Sequence, residues 1–202
     1  MTENLIKLLS DEKVFPIVRS RDPKRALDIA GALIDGGIKA LEINVETPEI
    51  YKVIEEVSKS AYVCAGGVIT SMQADAAILS GARIISSPIF SMNLVKISKD
   101  KQIPYIAGTS TANEAYSAWK ARIPLIKIYP ITAMGGAMYV EDLLRPMPFL
   151  NIMPLGNVKI DEIKSYISAG ASVVGVGRDF YENYTTDEIT QRVRKVLKEL
   201  KG

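Results

Sequence analysis

Short apolar runs alternate with amphipathic stretches along the whole chain, and the junctions repeat one theme of helix, glycine, then strand. Ala32-Leu-Ile-Asp-Gly-Gly37 precedes Ile38, Ala77-Ile-Leu-Ser-Gly81 precedes Ile84, and Tyr166-Ile-Ser-Ala-Gly170 precedes Val173. A glycine just past a helix supplies the left-handed residue that turns the chain back toward a strand. Strands are predicted from Val14 to Arg19, Ala40 to Val45, Tyr62 to Ala65, Arg83 to Ser86, Ile103 to Ile106, Leu125 to Tyr129, Leu150 to Pro154 and Val173 to Val176. Helices are expected to begin near Pro23, Pro48, Ser71, Ser91, Thr111, Gly136, Lys159 and Asp187, several on a Ser, Thr, Asp or Pro start signal. The stretch from Glu3 to Leu9 reads as an extra short helix.

Eight strand-helix units in 202 residues match the lower end of (β/α)₈ barrel size. A doubly wound open sheet more often stops at five or six strands. The strands are near-continuous apolar runs, as expected when both faces are covered. No linker, low-complexity tract or charge block divides the chain, so residues 1–202 are expected to form a single α/β barrel domain.

In a closed parallel barrel alternate residues point inward, and sites form where the C-terminal strand ends open into loops. Inside the apolar run Pro124-Leu-Ile-Lys-Ile-Tyr-Pro130, Lys127 shares its parity with Leu125 and Tyr129, while Ile126 and Ile128 face the helices. On the second strand Leu41, Ile43 and Val45 face outward, leaving Glu42, Asn44 and Glu46 inward. A lysine and a glutamate are therefore predicted to meet within the barrel. One reading is a buried ion pair that only holds structure. The other is a Schiff-base lysine, Lys127, attacking a ketone, with Glu42 carrying protons through one water. Burial disfavours the charged amine and a neighbouring carboxylate favours it.

Composition narrows the chemistry. The chain has no histidine, so acid and base work falls to carboxylates, lysines, tyrosines and water, and neither a metal nor a cofactor is expected. A net charge of +2 is too small to suggest a nucleic-acid or membrane surface. No apolar run approaches the ~20 residues needed to span a bilayer, and Met1-Thr-Glu-Asn-Leu lacks the features of a signal peptide. A cytoplasmic protein with a small-molecule substrate is expected. The lone Cys64, in a strand with no histidine nearby, reads as a small core residue rather than a nucleophile.

Glycines mark the mouth. Leu155-Gly156-Asn157 follows the seventh strand and Gly175-Val176-Gly177-Arg178 closes the eighth, where barrel enzymes often hold a phosphate on backbone N–H groups. Tight turns need such glycines as well. Arg178 suits a phosphate or carboxylate, or a salt bridge to Asp179 or Glu182. Ala65-Gly66-Gly67 and Ser87-Pro88 are either plain turns or places where substrate approaches backbone. Arg19 is a candidate for a substrate carboxylate or for a pair with Glu46, and Tyr129 for stacking on substrate or filling the barrel end. Trp119 reads as packing on an outer helix.

Three stretches, Gly36-Gly-Ile-Lys-Ala-Leu-Glu42-Ile, Ala107-Gly-Thr-Ser-Thr111 and Ile126-Lys127-Ile-Tyr-Pro130, together resemble the 2-keto-3-deoxy-6-phosphogluconate and 4-hydroxy-2-oxoglutarate aldolases, phosphogalactonate-specific members included. The resemblance runs from Phe15-Pro-Ile-Val-Arg19 to the Gly175-Val-Gly177 turn. It implies a class I, metal-independent pyruvate aldolase, commonly a homotrimer, with Lys127 as the Schiff-base lysine and Glu42 as general acid and base. It also implies phosphate binding at Gly156, Asn157, Gly177 and Arg178, and carboxylate binding around Gly66, Gly67 and Arg19. The substrate implied is a 2-keto-3-deoxy acid, split to pyruvate and an aldehyde such as glyceraldehyde 3-phosphate. The chain departs from the family where many members have arginine at Glu46, threonine at Gly67 and Leu155, glycine at Asn157 and serine at Arg178. Arg19 is then the residue left to take over the carboxylate contact. The rival readings are a phosphosugar isomerase or epimerase using Glu42 without a covalent lysine, and a non-catalytic sugar-acid binding protein.

Overall fold

A computed structural model describes residues 2–201, and side chains from 6 to 200. Eight parallel strands, β1 (Val14–Val18), β2 (Ala40–Asn44), β3 (Tyr62–Gly66), β4 (Ile84–Ser86), β5 (Tyr105–Thr109), β6 (Leu125–Ile128), β7 (Ile152–Pro154) and β8 (Val174–Val176), pair in the order β7-β6-β5-β4-β3-β2-β1-β8. A backbone hydrogen bond from Ser172 N–H to the Ile152 carbonyl, 3.0 Å, links the β7 and β8 edges and closes a (β/α)₈ barrel. The outer helices are α2 (Pro23–Asp35), α3 (Ile50–Val57), α4 (Ser71–Leu79), α5 (Met92–Lys101), α6 (Ala112–Lys120), α7 (Ala137–Leu144), α8 (Ile163–Ser168) and α9 (Thr186–Lys201).

Several helix starts follow from single side chains. Asp22 accepts from Lys24 N–H ahead of Pro23, while Thr70 with Gln73 and Thr111 with Glu114 form reciprocal capping boxes on α4 and α6. The expected N-terminal helix runs longer than its sequence signal, as α1 (Thr2–Glu12).

Strand boundaries differ from expectation mainly at β5 and β7. Ile103 N–H still bonds back to Ser98 at the exit of α5, and Pro104 has no N–H to give, so pairing begins at Tyr105 and runs on through Gly108 and Thr109. Leu150 N–H is taken by Met147 in a turn, which delays β7 to Ile152. A 3₁₀ turn at Ile160–Glu162 stands where a helix start was expected at Lys159, and α8 follows it.

The interior is layered. Phe15, Ala40, Cys64, Ile84, Ile106, Leu125, Met153 and Val173, one from each strand or its first flanking residue, form an apolar floor, and Ile6 and Leu9 of α1 pack beneath it. The outward parity, with Leu41, Ile43, Ile126 and Ile128, belongs to a separate cluster shared with the helices. Two residues further along each strand lies the next inward rank, Ile17, Glu42, Gly66, Ser86, Gly108, Lys127, Leu155 and Gly175. Three of these eight are glycines, which leaves room for two long polar side chains to cross the barrel.

Candidate active site

Lys127 and Glu42 occupy that room. Lys127 Nζ lies 3.0 Å from both carboxylate oxygens of Glu42, and the residues are 3% and 1% exposed. A buried pair of this kind persists only because each charge is matched by the other. The inward parity read from both strands is the one observed. Backbone register fixes the two positions, since Lys127 pairs with Gly108 on β5 and Glu42 with Cys64 on β3. Thr109, whose hydroxyl donates to the Lys127 carbonyl at 3.2 Å, adds a lock on β6.

Glycines shape the walls. A side chain at Gly66 would strike Asn44 Oδ1, Glu42 Oε1 and Glu42 Cγ. One at Gly108 would strike the Pro88 and Ser87 backbone, which crosses beside the amine-bearing strand. Tyr105 anchors this crossing loop by donating its hydroxyl to the Ile89 carbonyl at 2.7 Å, and burial pushes the phenol up to about 12 despite hydrogen bonds to Ser87 and Ser91 that pull it down.

Cys64 touches the pair, with Sγ 3.9 Å from Glu42 Oε2. Burial first, then the Glu42 charge, pushes its thiol well above the ordinary range, so it stays protonated and unreactive. Parity alone identifies it only as core. Ser86, an inward and fully buried hydroxyl on β4, was missed by the sequence reading, which singled out Ser87; the parity of Ile84 was the available signal.

The remaining candidates lie around the mouth. Arg19 donates from Nε to Glu46 Oε1 at 2.8 Å, Arg21 reaches the other oxygen at 3.9 Å, and the Arg19 side chain is 62% exposed. Its backbone N–H donates to the Tyr181 hydroxyl at 3.1 Å. Gly67 is left-handed, with open space where a side chain would start. On the opposite side Gly156 and Asn157 are both left-handed, at φ 124° and 54°. The Thr132 hydroxyl donates to the Gly156 carbonyl. Arg178 donates to Asn157 Oδ1 at 3.4 Å and lies 3.7 Å from Glu182, so Asn157, Arg178 and their flanking glycines come together as one cluster. Asp179 is engaged elsewhere, by Lys159 at 3.0 Å and the Ile160 N–H at 2.9 Å. Tyr129 is 38% exposed and does not fill the barrel end. Trp119 packs against Tyr116 and Phe149 on the outside. Among the described residues no group of His, Cys, Asp and Glu side chains is placed to hold a metal ion, and no helix is long and apolar enough to cross a membrane.

A family model described as KDPG and KHG aldolase matches residues 5–196. The chain belongs to this aldolase family. Among similar curated proteins are a 2-dehydro-3-deoxy-phosphogluconate aldolase of Treponema pallidum, 28% identical over 81% of this chain and 80% of that protein, and a 2-dehydro-3-deoxy-6-phosphogalactonate aldolase of Escherichia coli, 29% identical over 82% of each. A solved structure described as native KDPGal superposes with a TM-score of 0.82 at 26% identity, over 93% of this chain and 94% of that one. The KDPG aldolase of Legionella pneumophila, captured with pyruvate as a covalent carbinolamine, shares the fold with a TM-score of 0.84 at 24% identity, over 95% and 97% of the two chains.

Proposed function

We infer that this protein is a class I aldolase, a carbon-carbon lyase that splits a 2-keto-3-deoxy acid, 6-phosphorylated, into pyruvate and glyceraldehyde 3-phosphate. The observation that carries the reading is the buried, doubly bonded Lys127–Glu42 pair at the open end of an aldolase-family barrel.

The steps follow from the geometry. With one proton passed to Glu42, Lys127 Nζ attacks the C2 ketone; Glu42 gives that proton to the C2 oxygen, takes a second from the substrate-bound nitrogen and gives it to the resulting hydroxyl, which leaves as water to give an iminium. Glu42 then takes the C4 hydroxyl proton, the C3–C4 bond opens and its electron pair moves into the iminium as an enamine. The aldehyde leaves, C3 takes a proton from Glu42, and water releases pyruvate from Lys127.

Arg19 and the backbone at Gly66 and Gly67 are suited to the substrate carboxylate, with Arg19 shared with Glu46. The cluster of Gly156, Asn157, Gly177 and Arg178 is suited to the phosphate. Such an enzyme would serve sugar-acid breakdown of the Entner–Doudoroff kind in the cytoplasm. A homotrimer is supported by exposed apolar side chains Ile69, Met72, Leu79, Ile89 and Met92, which an assembly would cover; light scattering of the purified protein reads the assembly directly.

Trapping tests the chemistry. Incubation with pyruvate, borohydride reduction and digestion should add pyruvate-derived mass to Lys127. An unmodified Lys127 under conditions where cleavage proceeds would sink the Schiff base in favour of an enzyme using Glu42 alone.

A further inference from the structure

A cavity of about 410 Å³ opens on the outside of the barrel, where α6 ends and the chain enters β6 and β7. Its size is within the roughly 300–1,000 Å³ usual for small-molecule sites. Trp119 and Phe149 line it, with ring centroids 4.5 Å apart and planes tilted by 46°, and Ile123 and Pro124 add apolar wall. Trp119 remains 39% and Phe149 46% exposed, so ring surface is left for another flat group to cover. The charged lining has one sign. Lys120 and Arg122 border the cavity and no acidic side chain does. Lys120 Nζ lies over the Tyr116 ring, 5.9 Å from its centroid, and among the described residues neither cation has an ion-pair partner. Asn151 donates from Nδ2 to the Pro124 carbonyl at 3.4 Å, which leaves its Oδ1 as an acceptor.

We propose that this cavity is a nucleotide-binding site, taking an aminopurine mononucleotide with its ring on Trp119 and Phe149 and its phosphate on Lys120 and Arg122. An aliphatic anion would leave the rings uncovered, and a neutral aromatic molecule or an apolar protein segment would leave both cations unmatched. A purine ring supplies the flat face, its amino group suits Asn151 Oδ1, and the phosphate matches the two charges. The site is independent of the aldolase chemistry, because it lies outside the barrel wall whereas Lys127 and Glu42 meet within it. It is also separate from the apolar side chains that a trimer would cover, which lie on or just before α4 and α5.

Trp119 is the chain's single tryptophan, so its fluorescence reports on this cavity directly. Titration of the purified protein with AMP should change that fluorescence saturably, with half-saturation at roughly 0.1–1 mM. Ribose 5-phosphate, which lacks the ring, and adenosine, which lacks the charge, should each bind at least about 10-fold more weakly. Arg122→Gln and Lys120→Gln, both at exposed positions, should fold normally and weaken AMP about 10-fold. Arg178→Ala should leave the titration unchanged, since that residue stands at the barrel mouth. No saturable change by about 10 mM AMP would overturn the proposal. So would equal binding of ribose 5-phosphate, wild-type affinity in both glutamine variants, or loss of binding in Arg178→Ala, which would move the nucleotide to the mouth. Fluorescence that shifts with protein concentration alone, and no longer responds to AMP, would make a second copy of the chain the occupant instead.

Discussion

Lys127 Nζ stands 3.0 Å from each oxygen of Glu42 across the barrel, although 85 residues separate them in sequence. Because both groups are buried, removing one strands the other. Lys127→Met should abolish turnover and lower unfolding stability by about 3–5 kcal/mol, while Lys127→Met with Glu42→Leu should recover much of that loss. Denaturant unfolding of the single and double variants checks it; a single variant as stable as the parent would mean that the pair is not held as described. Glu42→Gln should keep the lysine and reduce turnover by roughly 10²–10⁴-fold.

Gly66 and Gly108 both make room in the site, with different neighbours. A methyl group at Gly66 meets side-chain rather than backbone atoms, of Asn44 and Glu42, so Gly66→Ala should fold and lose most activity by pushing the carboxylate from the amine. At Gly108 the neighbour is Pro88 backbone, which cannot swing aside, so Gly108→Ala should also cost about 1–3 kcal/mol of stability. Comparing melting with turnover in the two variants discriminates them, and equal stability losses would argue against the distinction.

Arg178 is tied to the protein by an exposed contact with Glu182 and a long hydrogen bond to Asn157, so its loss should leave stability nearly unchanged. Arg178→Ala should raise KM for a 6-phosphorylated substrate by roughly 10- to 100-fold, the size of one charge-assisted hydrogen bond, and leave the unphosphorylated analogue unaffected. Equal changes for both substrates would remove Arg178 from the phosphate site.

Tyr105 links alkaline stability to the loop over Gly108. Burial raises its phenol from 10.0 to about 12 in the folded chain, so the unfolded chain loses that proton first. Its contribution is fully present below pH 10 and is lost as pH rises toward about 12. Tyr105→Phe should weaken stability at neutral pH by about 1 kcal/mol through the lost bond to Ile89 and flatten the fall above pH 10. An alkaline unfolding profile unchanged by the substitution would contradict this.

The sequence by itself determined the alternation of eight strands with helices, the inward parity of Lys127 and Glu42, and the glycine clusters after β7 and β8, because these depend on local periodicity and local turn chemistry. Family-like stretches around those residues added the chemistry. The exact start of β5 escaped because Pro104 and the exit of α5 compete for the same backbone groups. Only tertiary structure decided that Cys64 touches Glu42, that Arg19 is held by Glu46, and that the Asn44 and Glu42 side chains lie where a side chain at Gly66 would begin. Those relations depend on how far each strand is staggered against its neighbours around a closed barrel. Stagger is set by the packing of the whole interior, which no single stretch of chain encodes.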